Sequence, residues 1–426
     1  MCLAALLSSA VAAEMAAPAA SGGETPLDAL VAEALQTNPE LLFYRAEIGA
    51  AQAGRRTAGK LANPEFSADL GYKRDETRGG QLLGDGPAWS VSVSQTFDFP
   101  GRMALRKAIA NRQIELAGLG LEQFRASLAA RVRELGYKLL VAQENAGTAR
   151  EVRDRVQDLL AVLVQREPAG VTLLLETRVI EANAITLQRR ATQAEQAAQS
   201  AQLELNQACG RPLGTNVRIA RADLSFPALP PVDVLLQAAG TNNVTLRMRQ
   251  AELEQQGFKV NLAQKDRWST VTLSPFYSNE RGLDQQSIVG LGMSVPLPLW
   301  DGKKSSVEQA KARLQQAEAS IRVAQRQIER QVTEHALAYE QQRVEMARWR
   351  TNAVEQLRES AELGDRHYRL GSLPVSIYLE LQKQYLEASE ALRHTQAEAL
   401  ENWLELELLL GRPLAELERP PKKEGG

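Results

Sequence analysis

Between Trp89 and Phe99 the chain reads WSVSVSQTFDF, and its residues alternate in type more cleanly here than anywhere else. Trp89, Val91, Val93, Phe97 and Phe99 fall on one side, and Ser90, Ser92, Ser94, Thr96 and Asp98 on the other. A period of two predicts a strand with one apolar and one wet face. This constrains the fold more than any other feature, because nearly all the surrounding sequence has the rhythm of helix. A strand set among helices must find its partners somewhere.

The candidate partners are nearby. From Pro64 to Lys73, Phe66, Ala68, Leu70 and Tyr72 alternate with Ser67, Asp69 and Gly71, and the Gly-rich, charged stretch RDETRGGQLLGDGP joins this run to the first as a hairpin with a long solvated turn. Thr270 to Asn279 and Ser287 to Leu297 form a second pair, with Val289, Leu291, Met293 and Val295 on one face against Gly290, Gly292 and Ser294. Each strand is about nine to eleven residues long, the length that crosses a bilayer when tilted. Tyr72, Trp89, Phe97, Phe99 and Trp300 are placed toward strand ends, as an interfacial aromatic girdle requires.

The two hairpins belong to an internal repeat. PVDVLLQAAGTNNVTLRMRQAEL from Pro231 matches PLDALVAEALQTNPELLFYRAEI from Pro26, with Asp233 on Asp28 and Asn243 on Asn38. Asp28 is the candidate N-cap of the first helix, and Asn38-Pro39 breaks that helix from the next. After Pro100-Gly101-Arg102 a helical pattern runs without proline to Pro168, roughly 100 Å if continuous. A return helix then ends at CGRPLG, the first of two such closures. In the second half Asp301-Gly302-Lys303 stands for Pro100-Gly101-Arg102, a long helix runs to about Asp365, and the return helix ends in LGRPLA. The expected units are therefore 26–213 (hairpin 64–99, long helical hairpin 101–209) and 231–414 (hairpin 270–297, long helical hairpin 302–411), with a polar tail over 415–426.

Three helical segments carry apolar residues at alternating steps of three and four: Val307, Ala310, Leu314, Ala317, Ile321, Ala324 and Ile328; Ile180 through Ala208; and Tyr378 through Ala399. This is the seam of a coiled coil, and its many alanines let helix axes approach closely. The fold class is thus mainly α, with long coiled-coil hairpins and four strands. In lipid an open strand edge leaves backbone groups unpaired at several kcal/mol each, so only closed barrels are viable there, and the smallest known have about eight strands. Four strands that span a membrane must assemble with copies of the same chain. A soluble sheet covered on one face by helices has the same period, and export, repetition and span-matched length weigh against it.

Charge and cysteine content narrow the function. The 50 basic and 52 acidic residues nearly cancel, which leaves no case for nucleic acid as a partner or for a polybasic anchor. The opening MCLAALLSSAVAAE has a short apolar run with small residues at Ala10 to Ala13, a cleavage-site pattern, so residues 1–13 are expected to be a signal peptide that lacks its basic beginning. Cys2 has no lipobox before it, and Cys209 reads as a small helix-end residue without a disulfide partner. His335, His367 and His394 have no metal-ligand spacing, and Gly84-Asp85-Gly86 lacks the remainder of a phosphate loop. No catalytic, metal or cofactor constellation emerges, and no enzyme is expected.

Taken in order, these features resemble the TolC-like outer membrane factors of Gram-negative efflux and secretion systems, over essentially Pro26 to Pro413. The resemblance rests on the duplicated Asn38-Pro39 and Asn242-Asn243 helix entries, the PGR and DGK junctions, the hairpin tip HYRLGSLPVSIYLELQ and the paired GRPL closures. QREPAGVTLLLETRVIEAN at the first tip is similar to the cation-efflux branch related to CzcC. The resemblance implies a homotrimer with a shared twelve-stranded barrel, continued as a helical periplasmic tunnel. It also implies a periplasmic adaptor (membrane fusion protein), an inner-membrane pump of the resistance-nodulation-division (RND) type and outer membrane lipid as partners.

From the same resemblance, Arg369, Leu370, Gly371, Ser372, Val375 and Ser376 are the adaptor-contacting tip, with Arg166, Gly170 and Val171 as their first-half counterparts. Gly170 and Gly371 also have the simpler role of permitting a helix-to-helix turn. Glu380 falls on a position where family members narrow the pore with a carboxylate, Ile377 replaces the other, and Glu176 is the first-half counterpart. Trp89, Val91, Val93, Phe97, Val289, Leu291, Met293 and Val295 are expected to face lipid. The function implied is a passive exit duct for metal cations or drugs. The alternatives are the channel of a type I secretion system and a periplasmic coiled-coil adaptor or scaffold. Adaptors carry one helical hairpin beside a lipoyl-like sheet, whereas this chain has two hairpins and two strand pairs.

Overall fold

A computed structural model describes residues 24–164, 171–220, 225–297, 302–349 and 352–416. The expected signal peptide, Arg166, Gly170, Trp300, Asp301 and nearly all of the polar tail lie outside the described residues. In chain order the elements are α1 (Leu27–Thr37), α2 (Glu40–Ala58), β1 (Glu65–Glu76), β2 (Leu82–Phe97), α3 (Arg102–Val164) and α4 (Val171–Cys209). The second half gives α5 (Val232–Asn242), α6 (Val244–Lys265), β3 (Val271–Arg281), β4 (Gln285–Ser294), α7 (Lys304–Arg348), α8 (Ala353–Arg369) and α9 (Val375–Leu410).

The strands form one antiparallel sheet in the order β1-β2-β3-β4. The helices beneath it keep that order, because α2 packs on α3, α3 on α6 and α6 on α7. Farther from the sheet α3 continues between α4 and α9, and α9 packs on α7 and α8. At 63 residues α3 is about 95 Å long, so it joins the sheet end of the molecule to the opposite tip. The α4 and α9 seams lie inward: Ile180, Ala184, Ala191, Leu205, Tyr378, Tyr385, Thr395 and Ala399 are buried and the intervening seam residues are partly buried. Along α7 only Ala317 and Ile328 of the seam are fully buried.

The repeat holds to the level of single hydrogen bonds. Asn38 and Asn243 are both buried; the Oδ1 of Asn38 accepts from the Glu40 amide at 2.8 Å, and that of Asn243 from the Leu246 amide at 3.0 Å. Their Nδ2 groups donate to the Ala208 and Leu409 carbonyls, both at 2.8 Å, and so each asparagine ties the start of a repeat to its closing helix. Gly210 and Gly411 follow in left-handed backbone, at φ 68° and 65°. A Cβ would stand 2.9 Å from the Thr37 carbonyl oxygen at the first and 2.5 Å from that of Asn242 at the second. Only glycine satisfies both the dihedral angle and the space. Two matching cores form around these closures, one on Leu30, Leu139, Leu205 and Cys209, the other on Leu235, Val332, Leu406 and Leu410.

Four sequence expectations need correction. Asp28 is not a cap: α1 starts after Pro26 without a side-chain cap, and the Asp28 carboxylate instead accepts from Arg133 at 3.3 Å. The long helix of the second half stops at Arg348 rather than near Asp365. Trp349 is extended and α8 restarts after Asn352, a residue type that competes with helix.

The first hairpin has no long turn, since β1 and β2 pair as far as Glu76 and Leu82 through the stretch read as loop. Lys73–Glu280 (3.0 Å) and Tyr72–Asp85 (2.7 Å) support this extension, and Gly86 lets the Arg281 carbonyl come within 2.5 Å of where a Cβ would be. Tyr72 and Trp89 therefore lie within their strands, and Val295 and Phe99 lie just beyond the ends of β4 and β2.

At the base of the sheet Arg102 is 4% exposed and holds the two repeats together. Its guanidinium donates to the carbonyls of Lys265, at 3.0 Å through Nη2, and of Trp268, and is paired with Asp266 at 2.9 Å. Asp98, 3.6 Å from Arg102, is itself held by Arg106 at 2.7 Å.

Candidate functional site

Across the matched residues the sheet gathers most of its apolar side chains on one face and most of its hydroxyls on the other, with Gln95 and Asn279 interrupting the first and Phe276 and Ile288 the second. The registers Ala68↔Val91, Val91↔Tyr277 and Tyr277↔Val289 align one row, and Leu70↔Trp89, Phe66↔Val93 and Leu273↔Met293 belong to the same side. Directly paired residues share a face. Trp89, Val91, Val93, Phe97, Val289, Leu291 and Met293 thus form one apolar surface, and it is open: Val289 is 81%, Met293 70% and Leu70 89% exposed. A single chain covers none of this face.

The opposite face is lined with hydroxyls. Ser94 and Ser274 share a hydrogen bond at 2.9 Å, as do Thr96 and Thr272, and the Ser90 hydroxyl donates to Asp69 at 2.9 Å. Phe276 is the aromatic exception on this side and lies across Gly290, where a Cβ would meet its ring at 2.6 Å. Among the described residues both outer strands, β1 and β4, have one edge without a partner strand.

At the far end, α8 closes through a Schellman turn. The Gly371 amide donates to the Tyr368 carbonyl at 2.9 Å and the Ser372 amide to the His367 carbonyl at 3.0 Å, with Gly371 at φ 70°. Leu370 is 78% exposed at the apex, and Ser372 and Ser376 are exposed beside it. Arg369 bonds back to Asp365 at 2.8 Å, and Val375 is partly buried against the tip core of Val156, Leu159, Ile180 and Tyr378. Tyr368 stacks on Tyr378 with ring centroids 5.1 Å apart, and burial pushes the hydroxyl of Tyr378 well above its ordinary titration range. Val171 opens α4 at the first tip.

The two pore candidates have different surroundings. Glu380 is exposed on α9, accepts from Gln384 at 2.6 Å and borders a cleft with Asn183, Thr186 and Arg190 of α4. Glu176 is partly buried and its charge acts on Tyr368, whose hydroxyl is raised first by burial and then by this carboxylate. Two features lay beyond the sequence reading: the burial of Arg102 and the tyrosine stack. Arg102 stood in the PGR motif, but nothing in that motif indicates that carbonyls from the other repeat surround it.

A model of the family described as Outer membrane efflux protein matches residues 30–211 and 235–412, one block for each repeat. The chain is 24% identical over 298 residues to the cobalt-zinc-cadmium resistance protein CzcC of Cupriavidus metallidurans, covering 69% of this chain and 68% of that one. Among solved structures it is similar to the Campylobacter jejuni CmeC outer membrane channel, with a TM-score of 0.75 at 16% identity over 90% of this chain and 85% of that one. It is likewise similar to the open state of the Neisseria gonorrhoeae MtrE outer membrane channel, with a TM-score of 0.69 at 17% identity over 91% and 89%.

Proposed function

The chain belongs to the outer membrane efflux protein family, and from that premise we propose that three copies join edge to edge into one outer-membrane barrel above a helical periplasmic tunnel. Four strands from each of three copies make twelve, enough to close a barrel that four cannot. The observation that carries this reading is the two-faced sheet with open edges. Its apolar side meets lipid, its hydroxyl side lines the lumen, and the free edges of β1 and β4 pair between copies. Trp89 and Phe97 are eight residues apart, about 26 Å along a strand at roughly 3.3 Å per residue, and at a barrel tilt of about 40° this spans roughly 20 Å, most of the height of an apolar band. The charged ladder beyond Trp89, with Lys73, Arg74, Asp75 and Glu280, then projects past the bilayer.

The duct is passive, and its energy comes from an RND pump reached through a periplasmic adaptor. Leu370, Ser372 and Ser376 are the exposed groups that an adaptor meets at the second tip. Likeness to CzcC favours divalent metal cations as the cargo, and the hydroxyl-lined face suits a path that passes cations without holding them. The test is cell fractionation followed by electrophoresis with and without heating. An outer-membrane oligomer that dissociates on heating is expected, whereas a monomer recovered in the soluble fraction would overturn the barrel.

A further inference from the structure

Where the sheet meets the helices, positive charge accumulates at helix ends of both polarities. The last turn of α2 carries Arg56, followed by Lys60, and that of α6 carries Lys265, followed by Arg267. Cations there suit the negative end of a helix dipole. The same explanation fails for α3 and α7, which begin at this level. Neither has an acidic residue in its first turn; Lys107 stands near the start of α3, and Lys304 opens α7. A cation at a helix N-terminus opposes the dipole, so these helices place charge where the dipole rule calls for carboxylate.

Two aspartates at this level are already engaged by arginines. Asp98 is occupied by Arg102 and Arg106, and Asp266 by Arg102. Among the described residues Arg56, Lys60, Lys107, Lys265, Arg267 and Lys304 form no ion pair, and the exposed carboxylates of Glu65 and of Glu308, one turn after Lys304, are outnumbered by these cations. At the same level Trp268 is 62% exposed and stacks on Phe99, with centroids 5.5 Å apart and planes 12° from parallel. An exposed Trp beside cations is the composition of a membrane–water interface. Its height agrees with this, since the collar begins where the open apolar face ends.

We propose that this collar is a docking surface for anionic phospholipid, whose headgroup phosphates accept from the lysines and arginines while Trp268 and Phe99 lie against the upper acyl chains. The inference rests on the barrel reading and adds to it the leaflet chemistry that the helical side meets. Phosphate is the matching group because each accessible oxygen takes a charge-assisted hydrogen bond and carries the charge that both the basic side chains and the N-terminal amides of α3 and α7 favour. The commitment is to lipid phosphate rather than the free ion, because the aromatic pair adds an apolar contact that inorganic phosphate cannot use.

The test uses the full-length protein in nanodiscs of phosphatidylethanolamine with and without phosphatidylglycerol, and reads the temperature at which the oligomer dissociates. Phosphatidylglycerol is expected to raise that temperature for the native protein. The triple variant Lys60→Ser, Arg267→Ser, Lys304→Ser is expected to lose that rise and need on the order of a hundredfold more anionic lipid for the same effect. Lys60→Arg with Lys304→Arg retains the rise, as does Arg322→Ser with Arg326→Ser farther along α7. An equal rise in the triple variant, no rise in the native protein, or a rise reproduced by inorganic phosphate would each overturn the proposal. Failure of native and variant proteins alike to enter any disc refutes the barrel itself, and is distinguishable because lipid composition then has no bearing.

Discussion

Three glycines at positive φ offer a test in which the dihedral cost is held constant and the space is varied. Gly371, Gly210 and Gly411 lie at φ 70°, 68° and 65°, so replacing each by Ala forces a side chain into the same left-handed region at about 1–2 kcal/mol. The surroundings differ. Among the described residues nothing lies within 4 Å of a Cβ at Gly371, the Thr37 carbonyl oxygen lies 2.9 Å away at Gly210, and the Asn242 carbonyl oxygen 2.5 Å away at Gly411.

Both obstructing atoms are backbone at the joint where Asn38 and Asn243 fasten each repeat to its closing helix, so the joint must move. Overpacking of this kind adds about 1–3 kcal/mol. Gly371→Ala should therefore cost no more than the dihedral term, Gly210→Ala more, and Gly411→Ala the most, about 2–5 kcal/mol in all. Guanidinium unfolding of the detergent-solubilised protein, read by the fluorescence of its five tryptophans, of which Trp403 packs against Tyr339 beside the second core, measures the order. Equal losses at the three sites would show that the close approach has no energetic weight.

Two further outcomes bear on the functional reading. Val93→Asp should prevent oligomer assembly by placing a carboxylate on the apolar face at a cost of about 2 kcal/mol per copy, while Ser92→Asp on the hydroxyl face should assemble; equal assembly of both would refute the assignment of faces. Leu370→Glu should weaken capture of the purified adaptor and leave the heat-dissociable oligomer intact, and undiminished capture would remove the second tip from the contact.

The sequence carried the architecture because each element repeats a simple period. Val289, Leu291 and Met293 announce their common face by alternation alone, and Tyr378, Tyr385 and Ala399 announce the seam of α9 by steps of three and four. The duplicated Asn38 and Asn243 marked both repeats before their hydrogen bonds were known. Extent was less legible. Glycine and charge in RDETRGGQLLGDGP usually mean a turn, yet here glycine admits a neighbouring strand and Lys73 and Asp85 find partners across the ladder. Likewise nothing in the periodicity past Ile328 told that α7 would stop at Arg348. The burial of Arg102 was invisible because its surroundings come from Lys265 to Trp268, more than 160 residues away in sequence.

That arginine has a mechanical consequence. Within one chain the joint between the first and second repeat is clamped by Arg102, whereas by sequence Lys303 occupies the matching place in the second repeat. In the ring of three copies proposed above, the joints within chains would carry a guanidinium and the joints between chains would have a lysine at the matching position. A planar guanidinium reaches several acceptors in fixed directions, and an ammonium is a single compact charge on a flexible stem. In such a ring three seams would be stiffer than the three between, and its easiest deformations would have threefold symmetry even though its strands and helices repeat six times.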